Sequence, residues 1–247
     1  MTSRPTPADD RPVALITGAG SGIGRASADR LIAAGFRTVL VGRRKGPLRE
    51  AADALGDLAT VLPADIGNPA DARALIGSIG DAFGRLDVLV NNAGTAPLLP
   101  IAQTGRDVID TAFRVNAEGP AHLIALAWPM FERQQSGRIV NVSTMGTRDP
   151  FPGFFAYAAS KAALNSMTRS CASEGRELGI RAFTVAPGAV ETEMLRGLFG
   201  KEAVPPEMCL SPDEVAAVIA DCATGRRDTD SGKTIWLQKG SEETTDS

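Results

Sequence analysis

Seven short apolar, β-branched runs recur along the chain: VALIT (13–17), TVLV (38–41), ATVLP (59–63), LDVLV (86–90), RIVNVS (138–143), RAFTV (181–185) and TIWL (234–237). Between them lie stretches patterned for helices, at about 22–34, 47–55, 69–83, 104–117, 120–134, 156–178 and 212–223. Several helices announce their starts, with Pro47, the Asn68-Pro69 pair and the Ser211-Pro212-Asp213-Glu214 run at first-turn positions. Strands that alternate with helices predict a parallel sheet. Because several runs are nearly continuous in apolar residues, both faces of that sheet should be covered. Right-handed crossovers then wind the chain into a doubly wound α/β fold, with a mainly parallel seven-stranded sheet and helices on both faces.

The seven runs fill 247 residues without an internal repeat or linker, so one domain over residues 11–240 is expected, flanked by disordered tails at 1–10 and 241–247. A hydrophobic content of 43% is enough for a substantial core. The net charge of -3, with basic residues scattered, offers no footprint for nucleic acid. The N-terminus MTSRPTPADDR lacks an apolar signal core and no run approaches the roughly 20 residues of a membrane span, so no membrane partner and a cytoplasmic location are expected. Cys171, Cys209 and Cys222 show no C-x-x-C spacing, which argues for free thiols. The single histidine, His122, lies in the apolar stretch AHLIALAW and suits a structural role, so neither histidine-bound zinc nor a Ser-His-Asp triad finds support, and no metal is expected.

Between the first strand and first helix stands TGAGSGIG (17–24), with Gly18, Gly22 and Gly24 in G-x-x-x-G-x-G spacing. Glycines there let the backbone turn sharply and approach a pyrophosphate, whose charge is favoured by the N–H groups of the helix start, as in a Rossmann fold. A merely tight turn uses the same residues. A dinucleotide site should carry its 2′ selector just after the second strand. There the chain reads VLVGRRK, with Arg43 and Arg44 and no acid from Leu31 to Arg49, which favours NADP while leaving NAD possible. A solvated basic turn is the plainer account of the same residues. Asp65 in ADIGN and the NNAG run (91–94) follow the third and fourth strands at the carboxyl ends where open sheets bind ligands, although turn chemistry alone also favours these residue types.

The one tyrosine of the chain, Tyr157, stands four residues before Lys161 in AYAASKAALNSM. The alanines favour a helix, so both side chains emerge on one face. Ser143 ends the fifth strand and Asn116 follows a preceding helix, so the four can converge. Hydride addition to a carbonyl develops alkoxide charge, which calls for a donor that stabilises and protonates it. Moving a phenol from a pKa of about 10 by about three units takes roughly 4 kcal/mol, and an ammonium about 4 Å away at an effective dielectric of 20 supplies energy of that order. Taken singly, each residue also fits a packing or strand-end role.

These motifs resemble, in order, those of the short-chain dehydrogenase/reductase family, over roughly residues 11 to 240: TGAGSGIG, NNAG, Asn116, Ser143, YAASK and PGAVET (187–192). The resemblance implies an NAD(P)-dependent oxidoreductase acting between a ketone and a secondary alcohol without a metal. It implies Tyr157 as general acid and base, Ser143 as ligand of the substrate oxygen, Lys161 as ribose ligand and pKa modifier, and Asn116 as support for a water-linked proton path. It further implies that Asp65 with Ile66 holds the adenine, that Asn91 contacts the adenosine side, and that Val190 and Thr192 anchor the carboxamide. Gly20, Ser21, Ile23, Ala93, Gly94, Pro187 and Gly188 complete the implied cofactor set, and a homotetramer or dimer is implied as well. The chain departs from the family in WLQKGSEE, where an Asp-Gly-Gly ending is common, and in CATGRRDTDSGKT before it, which leaves the C-terminal share of pocket and subunit contacts open.

The loops after strands four to six supply Leu98, Met145, Phe151, Phe154, Phe155, Met194, Leu198 and Phe199, with Arg148 and Arg196 nearby. Met145, Phe154 and Met194, with Ser143, are the expected substrate contacts, and the substrate class is an apolar ketone or secondary alcohol, although core or subunit contacts would use the same residues. A catalytically silent NADP-binding regulator on the same fold is the alternative function. It has no need of Asn116, Ser143, Tyr157 and Lys161 together. A methyltransferase would want an acid where Arg43 stands.

Overall fold

The structure is a computed structural model that describes residues 10–246. Eight strands form one sheet in the order β3-β2-β1-β4-β5-β6-β7-β8. They are β1 Val13–Thr17, β2 Arg37–Gly42, β3 Ala59–Pro63, β4 Val88–Asn91, β5 Gly137–Val142, β6 Ile180–Pro187, β7 Thr234–Leu237 and β8 Thr244–Thr245. The first seven pair in parallel and β8 runs antiparallel to β7. Eight α-helices accompany them among the described residues: α1 Gly22–Ala33, α2 Lys45–Leu55, α3 Pro69–Phe83, α4 Arg106–Phe113, α5 Gly119–Gln134, α6 Phe155–Gly175, α7 Glu193–Leu198 and α8 Pro212–Thr224.

Alternation along the strands sorts the core into two layers. Ala14 and Ile16 of β1 face α1, α2 and α8, where they meet Leu31, Leu48 and Val215. Val13 and Leu15 face the other way, toward Leu75 and Ile79 of α3 and Leu123 and Phe131 of α5. Leu15, Ile16, Leu31 and Ile79 are fully buried, each contributing roughly 1.5–3 kcal/mol relative to exposure. The doubly wound architecture expected from the sequence is therefore present.

The helix starts are built as their sequences suggest. Asn68 accepts a hydrogen bond from the Ala70 N–H, and Ser211 with Glu214 forms a reciprocal capping box at α8. Three details differ from the reading of the sequence. The helix expected at 104–117 breaks after Phe113 into a wide π-turn, Arg114–Glu118, that runs directly into α5. α7 was not expected; six residues are too few to display a helical period. The C-terminal stretch expected to be a tail contains β8, because the buried Trp236 indole N–H needs an acceptor and finds Asp246 Oδ1 at 2.7 Å. Residues 1–9 of the expected N-terminal tail, and Ser247, lie outside the described residues. No helix among the described residues is long and apolar enough to cross a membrane.

The strand order places β1 between β2 and β4, with the chain departing in opposite directions on its two sides. At that switch the loops after β1 and β4 separate and leave a crevice beyond the carboxyl ends of the strands.

Candidate active site

A cleft of about 890 Å³ opens at this crevice. Its floor is the turn from β1 into α1. Gly18 adopts φ +67°, and a Cβ there would lie 2.8 Å from Asn92 Nδ2. Gly24 sits behind it, so close that a Cβ would lie 2.4 Å from the Gly18 carbonyl oxygen. These two positions let backbone pack on backbone, which no larger residue permits. Asn92 fixes the turn, donating from Nδ2 to the Thr17 carbonyl at 2.8 Å, while Thr17 Oγ1 accepts from the Asn92 and Ala93 N–H groups at 3.0 Å each. Ser21, at the N-cap of α1, is extended and makes no side-chain cap bond, and the first turn carries no acid. The helix start thus presents N–H groups and a positive dipole end to an anion.

Gly18, Gly20, Ser21, Gly22 and Ile23 line the cleft, as do Arg43 and Arg44 after β2, Asp65 and Ile66 after β3, and Ala93 and Gly94 after β4. Arg44 is largely exposed, with its guanidinium 4.0 Å from Glu193 of α7. Asp65 Oδ1 accepts from the Gly67 N–H, and its carboxylate lies 3.7 Å from Arg114. Pro187, Gly188, Val190 and Thr192, which follow β6, close the far wall.

Tyr157 and Lys161 line the same cleft from one face of α6, with Ser143 and Thr144 opposite them. Lys161 is buried, and its Nζ donates to the Val142 carbonyl at 2.7 Å. Desolvation lowers its pKa to about 8. Ser143 Oγ donates to the Lys161 carbonyl at 3.3 Å, which ties the end of β5 to α6. Desolvation raises the Tyr157 pKa, and a hydrogen bond to the Thr144 side chain only partly opposes it. Lys161 directs its Nζ to a backbone carbonyl, and desolvation is the largest influence on the phenol.

Asn116 is fully buried behind the cleft and not on its surface. The π-turn projects it inward, where Oδ1 accepts from the Thr95 N–H at 2.8 Å and Nδ2 donates to the Thr95 carbonyl at 2.8 Å and Ser160 Oγ at 2.9 Å. It braces the loop after β4 against α6, a role of the kind for which π-turns recur at functional sites. Asn91 is likewise buried and does not line the cleft; its Nδ2 donates to Asn141 Oδ1 at 2.9 Å, in a polar chain that continues through Thr168 to Thr184. Its neighbour Asn92 takes the place facing the glycine turn. Asn92, Thr17, Thr144 and Ser160 are the positioning residues that sequence reasoning passed over. The signal for Asn92 was present in NNAG, one position beyond the residue chosen.

At the other end of the cleft Met145, Phe154 and Met194 line the wall together with Phe151, Leu198 and Phe199. The Phe154 ring lies 5.2 Å from that of Tyr157, and Phe199 stands edge-on to Phe151 at 5.7 Å and to Phe154 at 6.2 Å. Leu98 and Phe155 are not on this wall. Arg148 stacks on Trp236 at 5.6 Å and Arg196 pairs with Glu191, so neither basic residue faces the cleft. A second depression, of about 420 Å³, is lined by Arg169, Arg176, Arg181 and Lys233 near the amino ends of β6 and β7, and holds none of these groups.

A strand–glycine turn–helix floor with a Tyr-Lys-Ser wall is the arrangement for which a family match can be decisive. The sequence profile of short chain dehydrogenases matches residues 12–203. The chain belongs to the short-chain dehydrogenase family. An uncharacterized oxidoreductase of Staphylococcus epidermidis is 34% identical over 185 residues, covering 75% of this chain and 80% of its own. The short-chain dehydrogenase/reductase eriH of Hericium erinaceus is 32% identical over 243 residues, covering 92% and 96%. Among solved structures, 3-ketoacyl-(acyl-carrier-protein) reductase from Brucella melitensis, complexed with NADH, superposes with a TM-score of 0.88 at 30% identity, covering 93% of this chain and 97% of that one. Levodione reductase gives 0.86 at 27% identity, covering 93% and 96%. Membership of this family of oxidoreductases makes the chain an enzyme of that class.

Proposed function

We propose that this short-chain dehydrogenase interconverts a largely apolar ketone and its secondary alcohol with NADP(H), using Tyr157 as the proton donor and acceptor. The observation that carries the reading is that Tyr157, Lys161 and Ser143 line one continuous cleft with the glycine turn. The residues suit a dinucleotide. Added Cβ atoms at Gly18 and Gly24 would crowd Asn92 and the turn's own backbone, and one at Gly94 would come within 3.3 Å of Lys161 Nζ, so the cradle is shaped by missing side chains. The α1 start and Gly18 to Ile23 would hold the pyrophosphate, Arg43 and Arg44 a 2′-phosphate, Asp65 and Ile66 the adenine, and Val190 with Thr192 the carboxamide end. When bound, the cofactor supplies or accepts the hydride.

The rest of the work falls to side chains of this chain. Ser143 turns its hydroxyl from the Lys161 carbonyl to the substrate oxygen. Tyr157 gives its proton to that oxygen as charge develops, and takes one back in the oxidative direction. Burial keeps the phenol protonated, so the proton to be given is in place for the reductive direction. Lys161 supplies a buried cation on the same helix face, worth more there than in water. The Phe151, Phe154 and Phe199 wall favours an apolar substituent.

The test is cofactor oxidation by the purified protein across a panel of apolar ketones, repeated with Tyr157→Phe. Loss of at least about 100-fold in kcat with cofactor affinity kept is expected, the usual scale for a positioned acid. Full turnover by the phenylalanine variant, or cofactor binding with no turnover across the panel, would contradict the assignment.

A further inference from the structure

Beyond the catalytic groups, one basic side chain holds the segment that covers the substrate end of the cleft. Arg196 lies in α7, outside the cleft lining, yet its guanidinium reaches four points of the surrounding loop. Nε donates to Glu191 Oε1 at 2.7 Å, and Nη2 donates to Glu191 Oε2 to complete a two-pronged pair. Nη1 donates to the Val204 carbonyl at 2.8 Å and reaches the Phe199 carbonyl at 3.5 Å. Nη2 also lies 3.6 Å from Cys209 Sγ, which is itself bonded to the Pro205 carbonyl. The two ends of the 191–209 excursion are thereby tied to one planar group, and Phe199 is the residue caught between them. Phe199 then stands edge-on to Phe151 and Phe154, the latter tilted against Tyr157.

We infer that Arg196, through Glu191, is a positioning residue that holds Phe199 on the aromatic wall, so that the enzyme selects ketones carrying a planar apolar ring on one side of the carbonyl. A fork-shaped cation is needed because the acceptors diverge: a carboxylate on one side and two backbone carbonyls on the other, a set that one ammonium cannot meet with fixed geometry. A backbone bridge between Val190 and Leu210 closes the base of the segment, with Glu191 N–H donating to the Leu210 carbonyl at 2.9 Å, so the guanidinium is needed for the part beyond that bridge, where Phe199 and Val204 lie. The selection of ring-bearing ketones rests on the reading of the site as a ketone reductase; the staple itself does not.

The experiment compares the wild type with Arg196→Met, Arg196→Lys and Glu191→Gln on acetophenone and on acetone, and follows thiol reaction with Ellman's reagent in parallel. All three cysteines are buried, and Cys209 lies under the staple, so the native enzyme should react slowly. Arg196→Met is expected to raise the KM for acetophenone about tenfold with kcat within about twofold, and to leave acetone nearly unchanged, because only the larger substrate uses the wall. It should also make one thiol react at least about tenfold faster, an effect absent once Cys209→Ser is added. Arg196→Lys should fall between, and Glu191→Gln reproduces the direction if the methionine variant fails to fold. Equal KM shifts for both ketones would overturn the ring selection. Unchanged thiol reactivity in both Arg196→Met and Glu191→Gln would overturn the staple. Faster thiol reaction without ketone turnover by any form would uphold the staple and sink the assigned reaction.

Discussion

Lys161 places a cation in the interior at a calculable cost. Burial brings its pKa from 10.5 to about 8, while Nζ donates a 2.7 Å hydrogen bond to the Val142 carbonyl. A folded-state pKa below the unfolded one means that the unfolded chain binds more protons over the window between the two values. Stability should therefore rise with pH through that window. Below it the penalty is present in full, on the order of 3 kcal/mol near pH 7, and by about pH 10 it has fallen to less than about 1 kcal/mol.

Lys161→Met removes the charge and keeps most of the volume, but leaves the Val142 carbonyl without its donor, which costs about 1–3 kcal/mol. The variant should be the more stable protein near neutral pH, by about 1–2 kcal/mol, and should lose that advantage as pH rises. The expected swing in the difference is about 2–3 kcal/mol between about pH 7 and about pH 10. Urea denaturation of both proteins at several pH values measures it, and the groups that desolvation raises, Tyr157, Cys171, Cys209 and Cys222, titrate in both and cancel. A difference that stays flat with pH would refute the account of Lys161 as a desolvated cation. Turnover should collapse in the variant at every pH, so stability and activity move in opposite directions, as expected where a site carries strain for function.

Three other outcomes follow from the same geometry. Gly24→Ala inserts a carbon 2.4 Å from the Gly18 carbonyl and should lower stability by about 1–3 kcal/mol while weakening NADPH at least about tenfold, measured by denaturation and by titration calorimetry. Gly77→Ala, in the exposed interior of α3 with open space around it, should instead stabilise by about 0.5–1 kcal/mol and leave cofactor binding alone. Arg43→Asp should cost NADPH about 1.4 kcal/mol or more, a tenfold loss, with NADH changed by less than about threefold; retained preference for NADPH would remove Arg43 from the 2′-phosphate site.

The contrast between Asn91 and Asn92 shows what a sequence can and cannot display about such a site. Every strand of the parallel sheet was visible as an apolar run, and β1, β3 and β7 matched to the residue. The fourth run reads naturally as 86–90, which puts both asparagines in the following loop and leaves either free to face a ligand. In the fold β4 ends on Asn91 itself, paired in register with Asn141, so its side chain is committed to the interior. A boundary error of one residue therefore exchanges a ligand contact for a structural one, because side chains alternate with a period of two.

The same limit applies at Tyr157. Spacing on a helix establishes that the phenol and the ammonium share a face, but not that Nζ bonds the Val142 carbonyl on another element, nor that desolvation is the largest influence on the phenol. Patterns that repeat locally, such as strand runs, the glycine turn and the Ser211–Glu214 box, reach the page from sequence because their physics is local. Groups whose roles depend on a partner in another element, as Lys161 depends on Val142 19 residues before it, become legible only once β5 and α6 are packed together. The lowered proton affinity of Lys161 belongs to that second kind, which is why the pH swing in its stability tests the packing of the site and not merely the presence of the motif.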